Sequence, residues 1–211
     1  MKTIDLPKTI PVFPLSGVIF FPNTNLPLNI FEARYLALVS DCIKANKYMG
    51  MIQAKHNTSD VYSVGCLGKI TEHKTTNDGR LLINLVGVTR FQIKSELNNN
   101  KLYREFIVDY EKFSGDLKKV NEEIKSFDEA SELYKKTKIF FKKNGLLLNW
   151  NEFEKLDENQ RVNTLAMIAP ISNEEKQTIL ESVQLKTKTK TLSEIINFYL
   201  HDQTENKATL Q

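Results

Sequence analysis

The apolar residues at the start of the chain fall in short runs separated by prolines. Four of the six prolines lie within residues 10–35. Proline fixes its own backbone angle, lacks an amide donor, and pushes the residue before it towards an extended conformation. The pattern therefore predicts short extended pieces joined by rigid corners. The predicted strand pieces are residues 12–13, 18–21 and 26–30, and the predicted turns are residues 16–17 and 23–25.

From Phe31 onward the spacing of the apolar residues becomes helical. Apolar side chains recur every three or four positions, as expected for a helix with one buried face. Glu32 lies in the first turn, where the helix dipole favours a carboxylate. The region thus predicts a strand meander that leads directly into a helix. The apolar positions of this helix are Tyr35, Leu38, Val39, Cys42 and Ile43.

Residues 48–113 carry the patterns of further strands. The sequence Asn77-Asp78-Gly79 is a strong turn signal and predicts a β-hairpin. Its second arm is apolar on both faces, which favours an interior strand, and Gly87 favours a bulge or bend that curls the sheet. These strands and the one helix predict a small curled sheet or barrel. The predicted strands are residues 48–52, 64–74, 80–94 and 103–113.

The composition changes at Ser114-Gly115, after which Lys and Glu become frequent and the apolar spacing is helical. Two Ser/Thr-x-x-Glu patterns predict capping boxes at the starts of helices. The lysine-rich run at residues 186–190 could contact phosphate, but a solvated connector between helices is expected. A bundle of about four helices is therefore predicted. The first starts at Leu117 with Val120 and Ile124, and the residues from Leu133 to the stop at Asn144-Gly145 either continue it or form a second segment. Another helix covers 151–168, and the others open at Ser172 with Glu175 and at Thr191 with Glu194.

With 211 residues, the chain can bury a substantial core in one or two domains. The predicted fold class is α+β: a curled, strand-rich domain with one helix in residues 1–114, followed by a helical bundle in residues 115–211. Charged residues make up 26% and the net charge is +3, so the composition is globular and gives little support to a nucleic-acid partner. No apolar stretch has the length of a membrane helix or a signal peptide, so a cytoplasmic location is expected.

The sequence shows no recognisable catalytic, metal or cofactor motif. Cys42 and Cys66 lack metal or redox spacing and are expected to be small core residues, although a disulfide remains possible. The three histidines are scattered, and no HExxH or GxSxG pattern occurs. Gly65-Cys66-Leu67-Gly68-Lys69 lacks the spacing of a Walker loop. Ser–Lys catalysis is not excluded by composition, but no pair stands out. No cofactor is predicted.

Two arginines stand beside aromatic residues, as Arg34-Tyr35 and Arg90-Phe91. One interpretation is a recognition surface made of guanidinium groups and ring faces. The other is structural: each arginine bonds a carboxylate such as Glu32 while the ring fills the core. If the sheet curls at Gly87, the two places could lie close together.

Three groups of residues carry a resemblance to a known family. The opening contains Pro14-Leu15, Phe21-Pro22, Pro27-Leu28, Phe31-Glu32 and Arg34-Tyr35; the hairpin contains Val64-Gly65, Asp78-Gly79-Arg80 and Leu85 to Phe91; and the end contains Glu175-Lys176-Gln177 with Leu180-Glu181. Together they resemble the N-terminal domain of Lon protease, in the form of bacterial proteins that consist of this domain alone. Asn23 and Gly68 depart from the family pattern at turn or packing positions.

The resemblance implies a PUA-like curled β-domain followed by a helical bundle, without ATPase or peptidase modules. It implies a non-catalytic protein that binds exposed apolar segments of unfolded polypeptide, or a protein partner, at a groove between the two parts. Binding of RNA by the PUA-like part is the alternative. The expected substrate-binding residues are Phe31, Arg34, Tyr35, Arg90 and Phe91.

Overall fold

The computed structural model describes residues 5–56, 58–118 and 127–208 of the chain. The chain divides into two compact units, Met1–Lys118 and Lys119–Gln211. The first unit is rich in strands and the second is helical. The predicted α+β class with a curled N-terminal sheet is confirmed.

The described residues of the first unit form six strands, one α-helix and one 3₁₀ helix. The strands are β1 (Thr9–Leu15), β2 (Asn25–Ile30), β3 (Tyr48–Gln53), β4 (Val64–Thr75), β5 (Leu81–Leu97) and β6 (Arg104–Asp109). The α-helix is α1 (Ala33–Lys44), and the 3₁₀ helix covers Glu111–Leu117.

The six strands form one mixed sheet in the order β2-β5-β4-β3-β1-β6. The sheet curls, because the long strand β5 pairs with β2 through its first half and with β6 through its second half. Strands β1 and β3 are parallel, and the other pairs are antiparallel. The predicted hairpin is the β4–β5 pair.

Gly87 marks the place where β5 changes partners. The pairing with β4 shifts there, so that Gly68 faces Gly87 while Leu67 faces Thr89. The amide of Gly87 donates to the Thr24 carbonyl at 2.9 Å, and its carbonyl accepts from the Asn23 amide at 2.9 Å. A Cβ atom on Gly87 would lie 2.1 Å from the Phe21 carbonyl oxygen. The predicted bulge is therefore confirmed, and glycine is required because the backbone approaches so closely.

The core of the curled sheet is made of inward-facing apolar residues from β1, β3, β4, β5 and β6. Phe91 is fully buried in this core, and Gly50 provides the room for it, since a Cβ there would lie 3.1 Å from the Phe91 ring. The buried cluster contains Ile10, Val12, Ile52, Leu67, Phe91, Phe106 and Val108.

Two strand predictions differ from the structure, and one is confirmed. Residues 18–21 pair with no strand; they pack as an irregular buried segment between the turn at Gly17 and the left-handed residue Asn23. The strand predicted at 103–113 ends at Asp109, whose carboxylate accepts the Glu111 amide at 2.7 Å and turns the chain into the 3₁₀ helix. The β5 strand is interior by pairing, as predicted; its first half buries the Leu81, Ile83 and Leu85 face, and Thr89, Arg90 and Phe91 are all buried farther along.

Five helices lie in the described residues of the second unit. They are α2 (Phe127–Lys143), α3 (Trp150–Phe153), α4 (Glu158–Ile168), α5 (Asn173–Glu181) and α6 (Leu185–Ala208). Helix α6 packs on α2, α4 and α5. The capping box of Ser172 and Glu175 is present as predicted, and Gly145 follows α2 with a φ of 69°. The predicted helical positions Val120 and Ile124 lie outside the described residues.

Two helix predictions are wrong. Residues 151–168 form two helices rather than one, because Asp157 and Gln160 make a capping box that starts α4. Thr191 does not start a helix, since it lies inside the continuous helix α6. The run 186–190 therefore belongs to α6 and is not a connector. Lys188 is buried there, with its Nζ 3.0 Å from Oδ1 of Asn163.

Within the described ranges, no helix combines the length and the apolar character needed to cross a membrane. The two cysteines are buried in the first unit and form no disulfide. Burial raises the pKa of the Cys42 thiol to about 12, which keeps it protonated. Both cysteines are therefore core residues, as expected from their apolar surroundings.

Candidate functional site

A groove opens in the first unit beside the first turn of α1. Its volume is about 580 Å³. It is bordered by the end of β1, the loop after β3, and one residue from each of β5 and β6. The lining residues are Pro14, Ser16, Arg34, Tyr35, Ala54, Thr58, Ser59, Glu96 and Arg104.

Tyr35 forms part of the groove wall and is anchored in the core. The helical spacing of α1 turns this residue inward, where its ring meets the Phe13 ring edge-on with centroids 4.1 Å apart. Its side of α1 also carries the buried residues Leu38 and Val39. The ring is therefore held rigidly, while the residue still lines the groove.

Arg34 precedes Tyr35 and stays at the surface. Its Cζ lies 4.5 Å from the centroid of the Tyr35 ring, within the range of a cation–π contact. Its Nε donates to Oε2 of Glu32 at 3.0 Å, and its side chain is 56% exposed. Such an exposed ion pair contributes little to stability.

Arg104 is the most firmly held cation of the groove. Its Nε and Nη2 donate to the two carboxylate oxygens of Glu96, each at 2.6 Å. Its Nη1 donates to the Ser59 carbonyl at 2.9 Å. Strands β5 and β6 position this pair, because residues 92–97 pair with residues 105–109. The fork geometry fixes the guanidinium plane.

The charged groups of the groove shift the pKa values of their neighbours. Burial raises the pKa of Tyr35 and the Glu32 carboxylate adds to the rise, whereas Arg34 and Arg104 oppose it. The hydrogen bond from Arg104 lowers the pKa of Glu96, and the same bond raises the pKa of Arg104. At neutral pH the groove thus contains two guanidinium groups, one carboxylate and one neutral phenol.

The groove offers groups that can bind a ligand. Its hydroxyl and guanidinium groups can donate hydrogen bonds, and Pro14, Ala54 and the Tyr35 ring supply apolar contacts. Among the described residues that line it, none is a histidine, cysteine or lysine. Over the described ranges, no three His, Cys, Asp or Glu residues are placed to hold a metal ion.

The structure separates the residues that the sequence analysis grouped together. Arg34 and Tyr35 line the groove, and Phe31 is 65% exposed immediately before α1. Arg90 and Phe91 are both buried. Phe91 belongs to the sheet core.

Arg90 is held by the 3₁₀ helix. It donates from Nε and Nη2 to the Asp116 carboxylate at 2.8 and 2.7 Å, and its Cζ lies 4.3 Å from the centroid of the Phe113 ring. These contacts correspond to the bracing interpretation of Arg90, with Asp116 rather than Glu32 as the carboxylate.

Sequence reasoning missed Glu96, Arg104 and Ser59 as groove residues. Arg104 carries the same signal that singled out Arg34, since it follows an aromatic residue in Tyr103-Arg104. Its partner Glu96 lies eight positions earlier on the neighbouring strand. Only the pairing of β5 with β6 brings the two together.

Known proteins show the same domain. The model of the ATP-dependent protease La (LON) substrate-binding domain family matches residues 9–197. The Lon protease of Elusimicrobium minutum is 28% identical over 101 residues, which cover 45% of this chain and 12% of that protein. The Lon protease of Dictyoglomus thermophilum is 25% identical over 108 residues, covering 49% of this chain and 14% of that protein.

Two solved structures share the fold. The Lon N-terminal domain protein from Xanthomonas campestris superposes with a TM-score of 0.64 at 19% identity, over 87% of this chain and 96% of that chain. The N-terminal domain of Mycobacterium avium complex Lon protease gives a TM-score of 0.66 at 15% identity, over 90% of this chain and 98% of that chain.

The present chain spans only about an eighth of the length of these Lon proteases. The family match, in contrast, covers most of the chain and includes both units. This chain therefore belongs to the family of the ATP-dependent protease La (Lon) substrate-binding domain.

Proposed function

We propose that the protein is a non-catalytic module that binds unfolded segments of polypeptide, and that the groove beside α1 is the binding site. The observation that carries the proposal is the family match, whose domain is described as substrate-binding. The groove is where the described side chains offer a ligand both hydrogen-bond donors and apolar surface.

The lining suits an extended polypeptide. The hydroxyls of Ser16 and Thr58 and the two guanidinium groups can bond backbone carbonyls. Pro14 and the Tyr35 ring offer apolar contact, a combination typical of ligand sites. Phe31 lies three residues before Arg34 and exposes a large ring. We propose that it supplies an additional apolar contact, since exposed aromatic side chains are enriched among binding residues.

RNA is a weaker candidate for this groove. Phosphate recognition needs a basic face with aromatic rings for base stacking. Here both arginines already bond carboxylates, namely Glu32 and Glu96. A phosphate backbone along the groove would meet those carboxylates as well, and the net charge of +3 is small.

Binding to a permanently unfolded model polypeptide tests the proposal. Arg34→Ala should weaken binding by at least about fivefold if the arginine contacts the ligand. Arg80→Ala is the matched control, because Arg80 is also half exposed and also pairs with a carboxylate two residues away, Asp78. Both side chains are more than half exposed, so both variants should fold normally.

Two results would reject the proposal. In the first, the folded protein shows no affinity for the unfolded polypeptide. In the second, Arg34→Ala and Arg80→Ala bind as well as the parent. Single-stranded RNA serves as a competitor, and displacement of the polypeptide by RNA at low concentration would favour the nucleic-acid alternative.

A further inference from the structure

The hydroxyl of Tyr35 lies in the groove with no hydrogen-bond partner in the part of the chain that the structure describes. The residue is only 7% exposed, and its ring is fixed by Phe13. The hydroxyl oxygen is not among the fully buried unpartnered atoms, so it is open to solvent. A rigidly held donor at a groove surface can bond a polar ligand with little loss of conformational entropy.

Arg104 also keeps donors beyond its internal bonds. A guanidinium group has five N–H donors. Three of them bond Glu96 and the Ser59 carbonyl, and the other two have no partner among the described residues. Glu96 and Ser59 hold the group in one orientation, so little conformational entropy is lost when it binds a ligand.

The charges of the groove disfavour an anion of high charge. Its described lining contains two guanidinium groups and one carboxylate, and the Glu32 carboxylate bonded to Arg34 balances the second guanidinium group. The first turn of α1 adds only a partial positive charge, because it contains no acidic residue and the Glu32 side chain does not cap it. A phosphate group carries nearly two negative charges, which would exceed the local positive charge beside Glu96 and Glu32.

We propose that the groove binds a carboxylate group of its polypeptide ligand between Arg34 and Arg104, with the Tyr35 hydroxyl as a further donor. This inference rests on the proposed polypeptide binding and specifies the ligand class. The carboxylate comes from an Asp or Glu side chain or from a chain terminus. Guanidinium groups match its planar, two-oxygen geometry.

Three acetylated peptides that share one apolar sequence test the inference by titration calorimetry. The first has an internal Glu and an amidated C-terminus, the second has Gln there and a free C-terminus, and the third has Gln and an amidated C-terminus. We expect at least one of the first two to bind about tenfold more tightly than the third, a difference of about 1.4 kcal/mol. That preference should decline as salt is added.

Variants tie the preference to the groove. Arg34→Gln and Tyr35→Phe should each reduce the preference, while Arg80→Gln should leave it unchanged. Tyr35→Phe keeps the ring and its contact with Phe13, so it removes only the hydroxyl. Retention of parent-like selectivity in both groove variants would place the carboxylate elsewhere and overturn the inference.

The outcomes also separate this inference from the proposed function. Equal binding of all three peptides, weakened by Arg34→Gln, would refute carboxylate recognition and leave polypeptide binding in the groove standing. Absence of binding by any peptide and by the unfolded polypeptide would refute both. If only the first peptide binds tightly, the groove recognises acidic side chains; if only the second does, it recognises chain ends.

Discussion

Removing the carboxylate of Asp116 should destabilise the first unit strongly. Asp116 and Arg90 form an ion pair whose side chains are 7% and 2% exposed. Asp116 accepts two guanidinium bonds, at 2.8 and 2.7 Å, and the Arg90 amide at 3.0 Å. The Asp116→Ala change would leave a guanidinium group buried beside the Phe113 ring without this counter-charge.

The expected loss is about 3–5 kcal/mol of unfolding free energy, the usual effect of removing one partner of a buried ion pair. Small domains unfold in urea with slopes of about 1–3 kcal/mol per molar. The midpoint of the first unit should therefore fall by at least about 1 M. Lys94→Ala is the control on the same strand, because Lys94 pairs with Asp109 at 3.0 Å while 56% exposed. Its loss should stay below about 1 kcal/mol.

Urea denaturation followed by far-UV circular dichroism measures both variants. The only tryptophan, Trp150, lies in the second unit, so its fluorescence reports that unit separately. The Asp116→Ala variant should lower the circular-dichroism midpoint attributable to the first unit. If Asp116→Ala costs no more than Lys94→Ala, the buried pair has no special role and the reasoning is refuted.

Three other properties can be tested by denaturation, by pH titration and by activity assays. Gly87→Ala should lower the unfolding free energy by about 3 kcal/mol or more, because the added Cβ would meet the Phe21 carbonyl. Gly115 has open space around it, so Gly115→Ala should lower it by less than about 1 kcal/mol. Urea denaturation compares the two variants. Burial and the hydrogen bond to Asp41 raise the pKa of Tyr103 to about 12, so the stability from this phenol is complete below pH 10 and declines as the pH rises through about 12. Phenolate absorbance of the parent and of Tyr103→Phe should differ by one group titrating near that pH, and a difference near pH 10 would contradict the assignment. The 211-residue protein should neither hydrolyse ATP nor cleave an unfolded polypeptide, and ATP-dependent cleavage by a preparation free of full-length Lon would contradict this expectation.

Features with a local chemical cause were predictable from the sequence. Asn77-Asp78-Gly79 suits a hairpin turn by its backbone preferences, and Ser172 with Glu175 satisfies helix amides within four residues. Gly87 was identified as a bend because a strand interior rarely tolerates glycine. Each of these signals depends on neighbours in the sequence and needs no knowledge of distant contacts.

Features that depend on tertiary context were not predictable. Residues 18–21 have the composition of a strand, yet they contribute buried side chains without strand pairing. The capping pattern at Thr191 is overridden because α6 packs on other helices along its length. Sequence pattern alone cannot weigh such packing against local preference.

In the candidate site too, local sequence signals were predictable and tertiary contacts were not. Arg34 and Tyr35 were found because they are adjacent and stand at the start of a helix. Arg104 and Glu96 come together through strand register, and Ser59 lies 45 positions away from Arg104. Arg90 carried the same Arg-aromatic signal as Arg34, but its guanidinium group is buried and bonds the carboxylate of Asp116, which lies 26 positions away.

The position of β1 in the sheet has a consequence for the order of events during biosynthesis. Strand β1 is made first, but it pairs with β3 on one side and with β6 on the other, where Thr9 faces Ile107. Closing so long a loop is entropically costly and slow compared with forming the β4–β5 hairpin. While β6 has not yet emerged from the ribosome, one edge of β1 therefore has no strand to pair with. The first unit reaches its final topology only after nearly all of its residues have been synthesised.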